Sequence, residues 1–98
     1  MARRSELDVL HAVLHSISRG YDSKTALIRY AGVGAKQLQE YLSYAMEKDI
    51  IEEREGRLAL TEKGKKVLEE LERISELQAE IASRINTLRE IIDGEKET

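Results

Sequence analysis

The C-terminal third of the chain, residues 62–93, carries the pattern that most restricts the fold. It contains no proline, and its single glycine, Gly64, falls in the first turn. Apolar residues recur there at alternating steps of four and three, the heptad spacing of a coiled coil. The positions of this heptad stripe are Val67, Leu71, Ile74, Gln78, Ile81, Ile85, Leu88 and Ile92. A helix of this length spans roughly 48 Å. Because a 98-residue chain has too little other surface to cover it, residues 65–93 are predicted to form a homodimer.

The residues that flank the heptad stripe favour an antiparallel pair. In a parallel pair Arg84 would face Arg89 of the second chain, and facing like charges are destabilising. An antiparallel pair avoids this contact in a register that we call the sequence register. Its layers are Val67 with Ile92, Leu71 with Leu88, Ile74 with Ile85 and Gln78 with Ile81. Gln78 then lies near the two-fold axis, where a polar residue can select a register at some cost in stability. The alternative is a glutamine that is tolerated because it is partly exposed.

The residues ahead of the long helix predict three short helices. Their expected spans are residues 6–18, 24–31 and 35–48. Ser5 with Asp8 resembles a capping box at the first helix, and Ser23 and Gly32 suit the two ends of the second. The apolar residues of the first helix share one face: Leu7, Leu10, Leu14 and Ile17, with Val13 beside them. The spacing in the third helix predicts a buried stripe of Leu38, Tyr41, Leu42, Ala45 and Met46.

A change of apolar period from 3.6 to about two follows the third helix. It predicts a strand that begins at Ile50–Ile51 and a second strand over residues 58–60. Residues 54–57 form the turn between them, where Gly56 supplies the unusual backbone conformation. Thr61 is then the expected N-cap of the long helix. A two-stranded hairpin is marginal by itself, so we expect it to pack on the helices.

Composition argues against several kinds of site. The chain has no cysteine, which excludes disulfides, thiolate catalysis and zinc fingers. His11 and His15 lie one helical turn apart, but no third ligand completes a metal set. Neither a nucleophilic triad nor a phosphate-binding glycine loop is present, so we expect no enzyme activity, no metal and no cofactor. No apolar run is long enough to cross a membrane. High Glu, Lys and Arg beside a single Asn is typical of thermophile proteins.

Two stretches carry a family resemblance over about residues 5–75. They are YAGVGAKQLQEYLSYAMEKDII and EREGRLALTEKGKKVLEEL. The chain resembles the small archaeal winged helix-turn-helix DNA-binding proteins of the crenarchaeal chromatin-associated type. Family members usually have a glycine where Asp49 stands and a serine-like cap where Gly34 stands.

The resemblance implies a mainly α fold with a minor β part and three regions. Residues 1–64 would form a winged-helix head, residues 65–93 an antiparallel coiled-coil helix, and residues 94–98 a disordered tail. It also implies a cytoplasmic, nucleoid-associated protein that binds double-stranded DNA in a regulatory or architectural role. The third helix would be the recognition helix, and residues 54–57 the tip of the wing.

The residues expected to contact DNA fall into two groups. On the recognition helix, outward side chains would meet base edges in the major groove: Lys36, Gln37, Gln39, Glu40 and Ser43. Around it, basic side chains would contact phosphates: Arg3, Arg4, Lys24, Arg29, Arg54 and Arg57. Lys63, Lys65 and Lys66 form a further basic cluster that equally suits the surface between head and stalk.

The charge of the chain keeps an alternative open. The net charge is −3, whereas nucleic-acid binders are usually basic. Counted along the sequence, residues 1–66 hold 12 Lys and Arg against 10 Asp and Glu, and the remaining residues hold 4 against 9. Any phosphate-binding surface therefore lies in the first two thirds. The alternative is a winged-helix interaction or assembly module that does not bind DNA, since fold alone does not determine function.

Overall fold

A computed structural model describes residues 6–94 and shows a mainly helical chain with one two-stranded sheet. In chain order the elements are α1 (Glu6–Ser18), α2 (Lys24–Ala31), α3 (Ala35–Glu47), β1 (Ile51–Arg54), β2 (Arg57–Leu60) and α4 (Glu62–Gly94). This confirms the predicted winged-helix architecture with a long C-terminal helix. Ser5, Arg3 and Arg4 lie outside the described residues, as does most of the predicted tail, residues 95–98. Gly94, which the prediction placed in the tail, is the last residue of α4.

Local sequence signals account for the ends of α2 and α3. Ser23 Oγ accepts a hydrogen bond from the Ala26 N–H at 3.1 Å, and Gly32 follows α2 in the left-handed region with φ 68°. Helix α3 ends in a Schellman arrangement, in which the Ile50 N–H donates to the Ala45 carbonyl at 2.8 Å. The left-handed residue of that motif is Asp49, with φ 61°. An aspartate therefore occupies a backbone conformation that favours glycine.

The hairpin closes through a two-residue turn. Strands β1 and β2 are antiparallel, with Ile51 opposite Leu60 and Arg54 opposite Arg57. The intervening Glu55 and Gly56 both have positive φ, 50° and 78°, as a type I′ turn requires. Its handedness matches the twist of the strands, so the short hairpin stays in register.

The start of α4 is fixed to the segment that joins α3 to β1. Thr61 Oγ1 accepts a hydrogen bond from the Gly64 N–H at 2.9 Å, which confirms the predicted N-cap. The same hydroxyl donates to the Asp49 carbonyl at 2.5 Å. A Cβ atom on Gly64 would overlap the carbonyl oxygen of Ile50. Glycine is needed there because two backbone segments touch, and this contact sets the direction in which α4 leaves the head.

One apolar core lies inside the head and takes residues from every element. Its buried members are Val9, Val13, Leu14, Ile17, Leu27, Ala31, Val33, Leu38, Leu42, Ala45, Ile50, Ile51, Leu58, Leu68 and Leu71. The prediction that Met46 is buried is wrong, since its side chain is 40% exposed, and Leu7 on the apolar face of α1 is 54% exposed. Helix α1 packs at once on α2, α4 and β2, which turns Val9 inward instead of Leu7. Helix α3 packs on α2 and β1, and the narrower stripe of Leu38, Leu42 and Ala45 suffices for that contact.

The head also covers the beginning of the heptad stripe. The heptad spacing assigns Val67 and Leu71 to the dimer, but Leu71 is 6% exposed within a single chain and Val67 packs against the same core. The cause is α1, which lies across the first turns of α4, where His15 Nδ1 is 3.6 Å from a carboxylate oxygen of Glu72. The exposed part of the stripe therefore begins at Ile74.

Beyond the head, α4 is a single helix that projects into solvent. The described chain extends 66 Å along its longest axis but 27 and 21 Å along the others. Every residue of α4 after Leu71 is exposed. Within residues 6–94, no helix combines the length and the apolar character that a membrane span requires.

Candidate nucleic-acid interface

The turn between α2 and α3 sets the orientation of α3. Within the turn formed by Gly32, Val33 and Gly34, Val33 is buried with 4% of its surface exposed. It joins Leu27 of α2 and Leu38 of α3 in the core. One side of α3 is thereby fixed to the head, and the opposite side faces solvent along the whole helix.

All five residues predicted to read bases on α3 are exposed. They are Lys36, Gln37, Gln39, Glu40 and Ser43. At 100° per residue, those farthest from the buried stripe are Lys36, Glu40, Ser43 and Glu47. Gln39 lies on one flank of this face, and Gln37 lies with the half-exposed Tyr44 on the other.

The two flanks of α3 differ in charge. On the flank that faces α1, an open groove is lined by Glu6, Leu7, Leu10, Glu40, Tyr41 and Tyr44. Burial raises the pKa of the Tyr41 hydroxyl above its ordinary value, and the carboxylates of Glu6 and Glu40 raise it further. This flank is therefore acidic, and phosphate would be repelled from it. Lys36, Gln39 and Ser43 lie away from this groove, and they form the part of α3 best suited to a polyanion.

The wing holds two arginines side by side. Arg54 and Arg57 are directly opposite in the hairpin, so their side chains project from the same face. Both side chains are more than 70% exposed. Arg54 pairs with Glu52 at 3.1 Å, and Arg57 with Asp22 at 3.8 Å. Exposed ion pairs of this kind are weak, so a phosphate oxygen can replace either carboxylate.

A hydrogen bond joins the wing to the loop ahead of α2. The Leu58 N–H donates to the Asp22 carbonyl at 3.0 Å, next to the pair between Arg57 and the Asp22 side chain. This contact fixes β2, close to the turn of the hairpin, relative to the loop ahead of α2. Lys24 in the first turn of α2 and Arg29 in the last turn are both exposed.

Two features near this surface are not apparent from the sequence. The ring of Tyr21, a residue that precedes α2, stacks on the ring of Tyr30 in the last turn of α2. The ring centroids are 3.8 Å apart, and both residues are exposed. Their spacing fits no helical period, because Tyr21 precedes the helix. Lys63 Nζ donates to the Lys48 carbonyl at 2.7 Å, at the end of α3. Lys63 therefore helps to hold α4 against α3, and this favours the structural interpretation of that lysine.

The two histidines of α1 lie close together. Their rings meet edge to face with centroids 6.2 Å apart, and His15 also lies beside Glu72. Among residues 6–94, no group of three or more His, Cys, Asp or Glu side chains is arranged to hold a metal ion.

Comparison with known proteins identifies similar chains. The family model described as winged helix-turn-helix matches residues 3–79. An uncharacterized protein of Methanocaldococcus jannaschii is 27% identical over 75 residues, which cover 76% of this chain and 77% of the relative. The crystal structure of Sso10a-2, a DNA-binding protein from Sulfolobus solfataricus, superposes with a TM-score of 0.75 at 20% identity. That match covers 90% of this chain and 96% of the other.

Proposed function

Because the chain belongs to the winged helix-turn-helix family, we propose that it is a homodimer that binds double-stranded DNA as a regulatory or architectural protein. The observation that carries this proposal is the exposed outer face of α3 on the same head as the paired wing arginines. The description of the structural neighbour Sso10a-2 as a DNA-binding protein supports the same function.

In this proposal α3 enters the major groove. Lys36 suits guanine or phosphate, and Gln39 and Gln37 suit adenine. The Ser43 hydroxyl can donate a hydrogen bond to guanine, to adenine or to a phosphate. Glu40 can accept a hydrogen bond from cytosine N4, although its place at the acidic groove makes it the weakest candidate on the helix.

The basic residues around α3 contact phosphates and position the head. Arg54 and Arg57 bind the backbone from the wing, and Lys24 and Arg29 bind it from α2. Arg3 and Arg4 remain predicted phosphate contacts outside the described residues. Contacts of this type supply affinity and register rather than sequence information.

The charge distribution favours selective binding over coating of DNA. The two wing arginines already have acidic neighbours, and α3 carries Glu40 and Glu47 beside its single lysine. Non-specific binding depends on neutralised phosphates, so a head with few unpaired cations gains little from random sequence. Correct base contacts on α3 then contribute a larger share of the affinity, as expected for a regulator.

The exposed apolar side chains of α4 support the homodimer. They are Ile74, Leu77, Ile81, Ile85, Leu88, Ile91 and Ile92, each at least 38% exposed. Large apolar surfaces usually mark an interface, and heptad spacing along an exposed helix fits a second helix of the same kind. An antiparallel dimer would carry its two heads at opposite ends of a shared stalk, placed for separate half-sites or for two duplexes.

Replacement of three basic residues tests the assignment of the DNA surface. We compare Lys36→Ala, Arg54→Ala and Arg57→Ala in one variant with a control that carries Arg73→Ala, Arg84→Ala and Arg89→Ala on α4. Both variants lose three positive charges, and none of the six residues contributes to the core. The readout is the fluorescence anisotropy of a labelled duplex at about 50 mM salt.

The first variant should bind at least about tenfold more weakly than the unmodified protein, while the control binds nearly as well. Equal weakening in both variants would show that binding follows total charge rather than this surface. If the first variant binds the duplex as tightly as the unmodified protein, the assignment of these residues to the DNA surface is refuted.

A further inference from the structure

We propose that the two stalks pair one heptad farther from the heads than the sequence register, with Ile81 of one chain opposite Ile85 of the other. We call this arrangement the shifted register. It rests on the proposed homodimer and specifies how the second copy sits on α4.

The first observation is that the head occupies part of the stripe. In the sequence register, Leu88 of the second copy would lie opposite Leu71, and Ile92 opposite Val67. Leu71 is buried by its own chain, and Val67 packs against the same core. Leu88 and Ile92 are themselves 56% and 52% exposed, and in that register they would face residues with little free surface.

The second observation is that the exposed part of the stripe is complementary to itself. It runs from Ile74 to Ile92, and its midpoint is Ser83. An antiparallel pair centred there places each exposed position opposite another exposed position. The layers are Ile74 with Ile92, Gln78 with Leu88, and Ile81 with Ile85.

The flanking residues favour the same register. Leu77 and Ile91 are apolar and 41% and 57% exposed. In the shifted register they face each other, which extends the apolar contact to one side of the stripe. In the sequence register, Leu77 faces Arg84 and Ile91 faces Glu70, so both apolar side chains meet charged ones.

Two features oppose the shifted register. Gln78 moves away from the two-fold axis to face Leu88, so it loses the register-selecting position that it has in the sequence register. Arg84 would face its own copy across the two-fold axis. Its side chain is 81% exposed, and it already lies 3.8 Å from Glu80 on the same helix. Repulsion between exposed charges on helices is weak, whereas the layers of Ile81 with Ile85 are apolar and lie at the centre of the interface. Ala82 also meets its own copy there, and its small side chain allows close approach.

The register determines how far apart the heads stand. Leu71, where α4 leaves the head, is twelve residues from the midpoint at Ser83. At 1.5 Å per residue, the two points of departure are about 36 Å apart in the shifted register and about 26 Å apart in the sequence register. The inference therefore gives the dimer a wider spacing between its heads.

Disulfide trapping distinguishes the registers, since the natural chain contains no cysteine. Ile74→Cys, on a chain with a longer affinity tag, is mixed in turn with Ile92→Cys, Ile85→Cys and the outward-facing control Ser83→Cys. The mixtures are oxidised and run on non-reducing gels, where the tag identifies mixed dimers. The mass of each reduced mixture is measured by sedimentation.

The shifted register predicts a mixed disulfide with Ile92→Cys and none with Ile85→Cys or the control. A disulfide with Ile85→Cys instead would support the sequence register and overturn the inference. Ile74→Cys that cross-links to itself would show a parallel pair and also overturn it. If the mass is that of a dimer but no cysteine pair reacts, the shifted register is refuted while the homodimer is not. A monomeric mass refutes the proposed homodimer itself.

Discussion

Asp49 shows how one backbone angle connects α3 to α4. It has φ 61° in the Schellman turn that ends α3, and its carbonyl accepts a hydrogen bond from Thr61 at the start of α4. The resemblance predicts a glycine at this position in related chains, and the positive φ explains that preference. The aspartate therefore costs stability at a junction where its carbonyl, rather than its side chain, accepts the hydrogen bond from Thr61.

Replacing Asp49 with glycine should stabilise the head. Asp49→Gly removes the steric cost of the left-handed conformation and keeps the carbonyl that Thr61 uses. We expect a gain of about 0.5–1 kcal/mol, or a few degrees in Tm at fixed protein concentration. Asp49→Asn is the control, because asparagine also tolerates this conformation but lacks the charge, and its Tm should change little. A Gly variant no more stable than the Asn variant would contradict the backbone explanation.

At the scale of single elements, the exposed side of α4 has a different role from its buried first turns. Ile81 is 60% exposed in one chain and lies in the middle of the free stripe. Ile81→Asp costs little in a monomer, but in a dimer it places a charge in an apolar layer without a partner. We expect the variant to sediment as a monomer at concentrations where the unmodified chain is a dimer.

Ser83→Asp is the matched control for this experiment. It introduces the same charge two residues away, on the side of α4 that faces away from the stripe, and it should leave the dimer mass unchanged. A dimer that survives Ile81→Asp would refute the assignment of this stripe as the interface. Dissociation by both variants would show sensitivity to charge alone.

The elements were predictable to the extent that local signals determine them. Ser23, Gly32 and Thr61 occupy the helix ends that their chemistry suggested, and the hairpin turn contains Gly56 as expected. The buried face of each helix was less predictable than its ends, because burial depends on the neighbours against which the helix packs. Leu7 is an example, since the packing of α1 leaves it exposed. The need for glycine at position 64 was also not predictable, since Gly64 lies against the backbone of Ile50, which is distant in the sequence.

For the molecule as a whole, the sequence predicted a head over residues 1–64 and a stalk over residues 65–93, whereas the first turns of α4 pack into the core of the head. The heptad repeat continues without interruption through Leu71, so periodicity alone assigns that residue to the dimer. Tertiary packing of α1 assigns it to the head. Of the candidate DNA surface, exposure was predictable from helical spacing. The acidic groove beside Glu40 was not, because it requires α1 and α3 to be brought together.

The salt dependence of duplex binding tests the central claim most directly. The unmodified protein is titrated onto a labelled duplex of about three helical turns, from about 50 to about 200 mM salt. Contacts to roughly four to eight phosphates predict that log Kobs falls against log salt with a slope of about −4 to −7. Absence of measurable binding at about 50 mM salt would contradict the account and would favour a winged-helix module that assembles with other proteins.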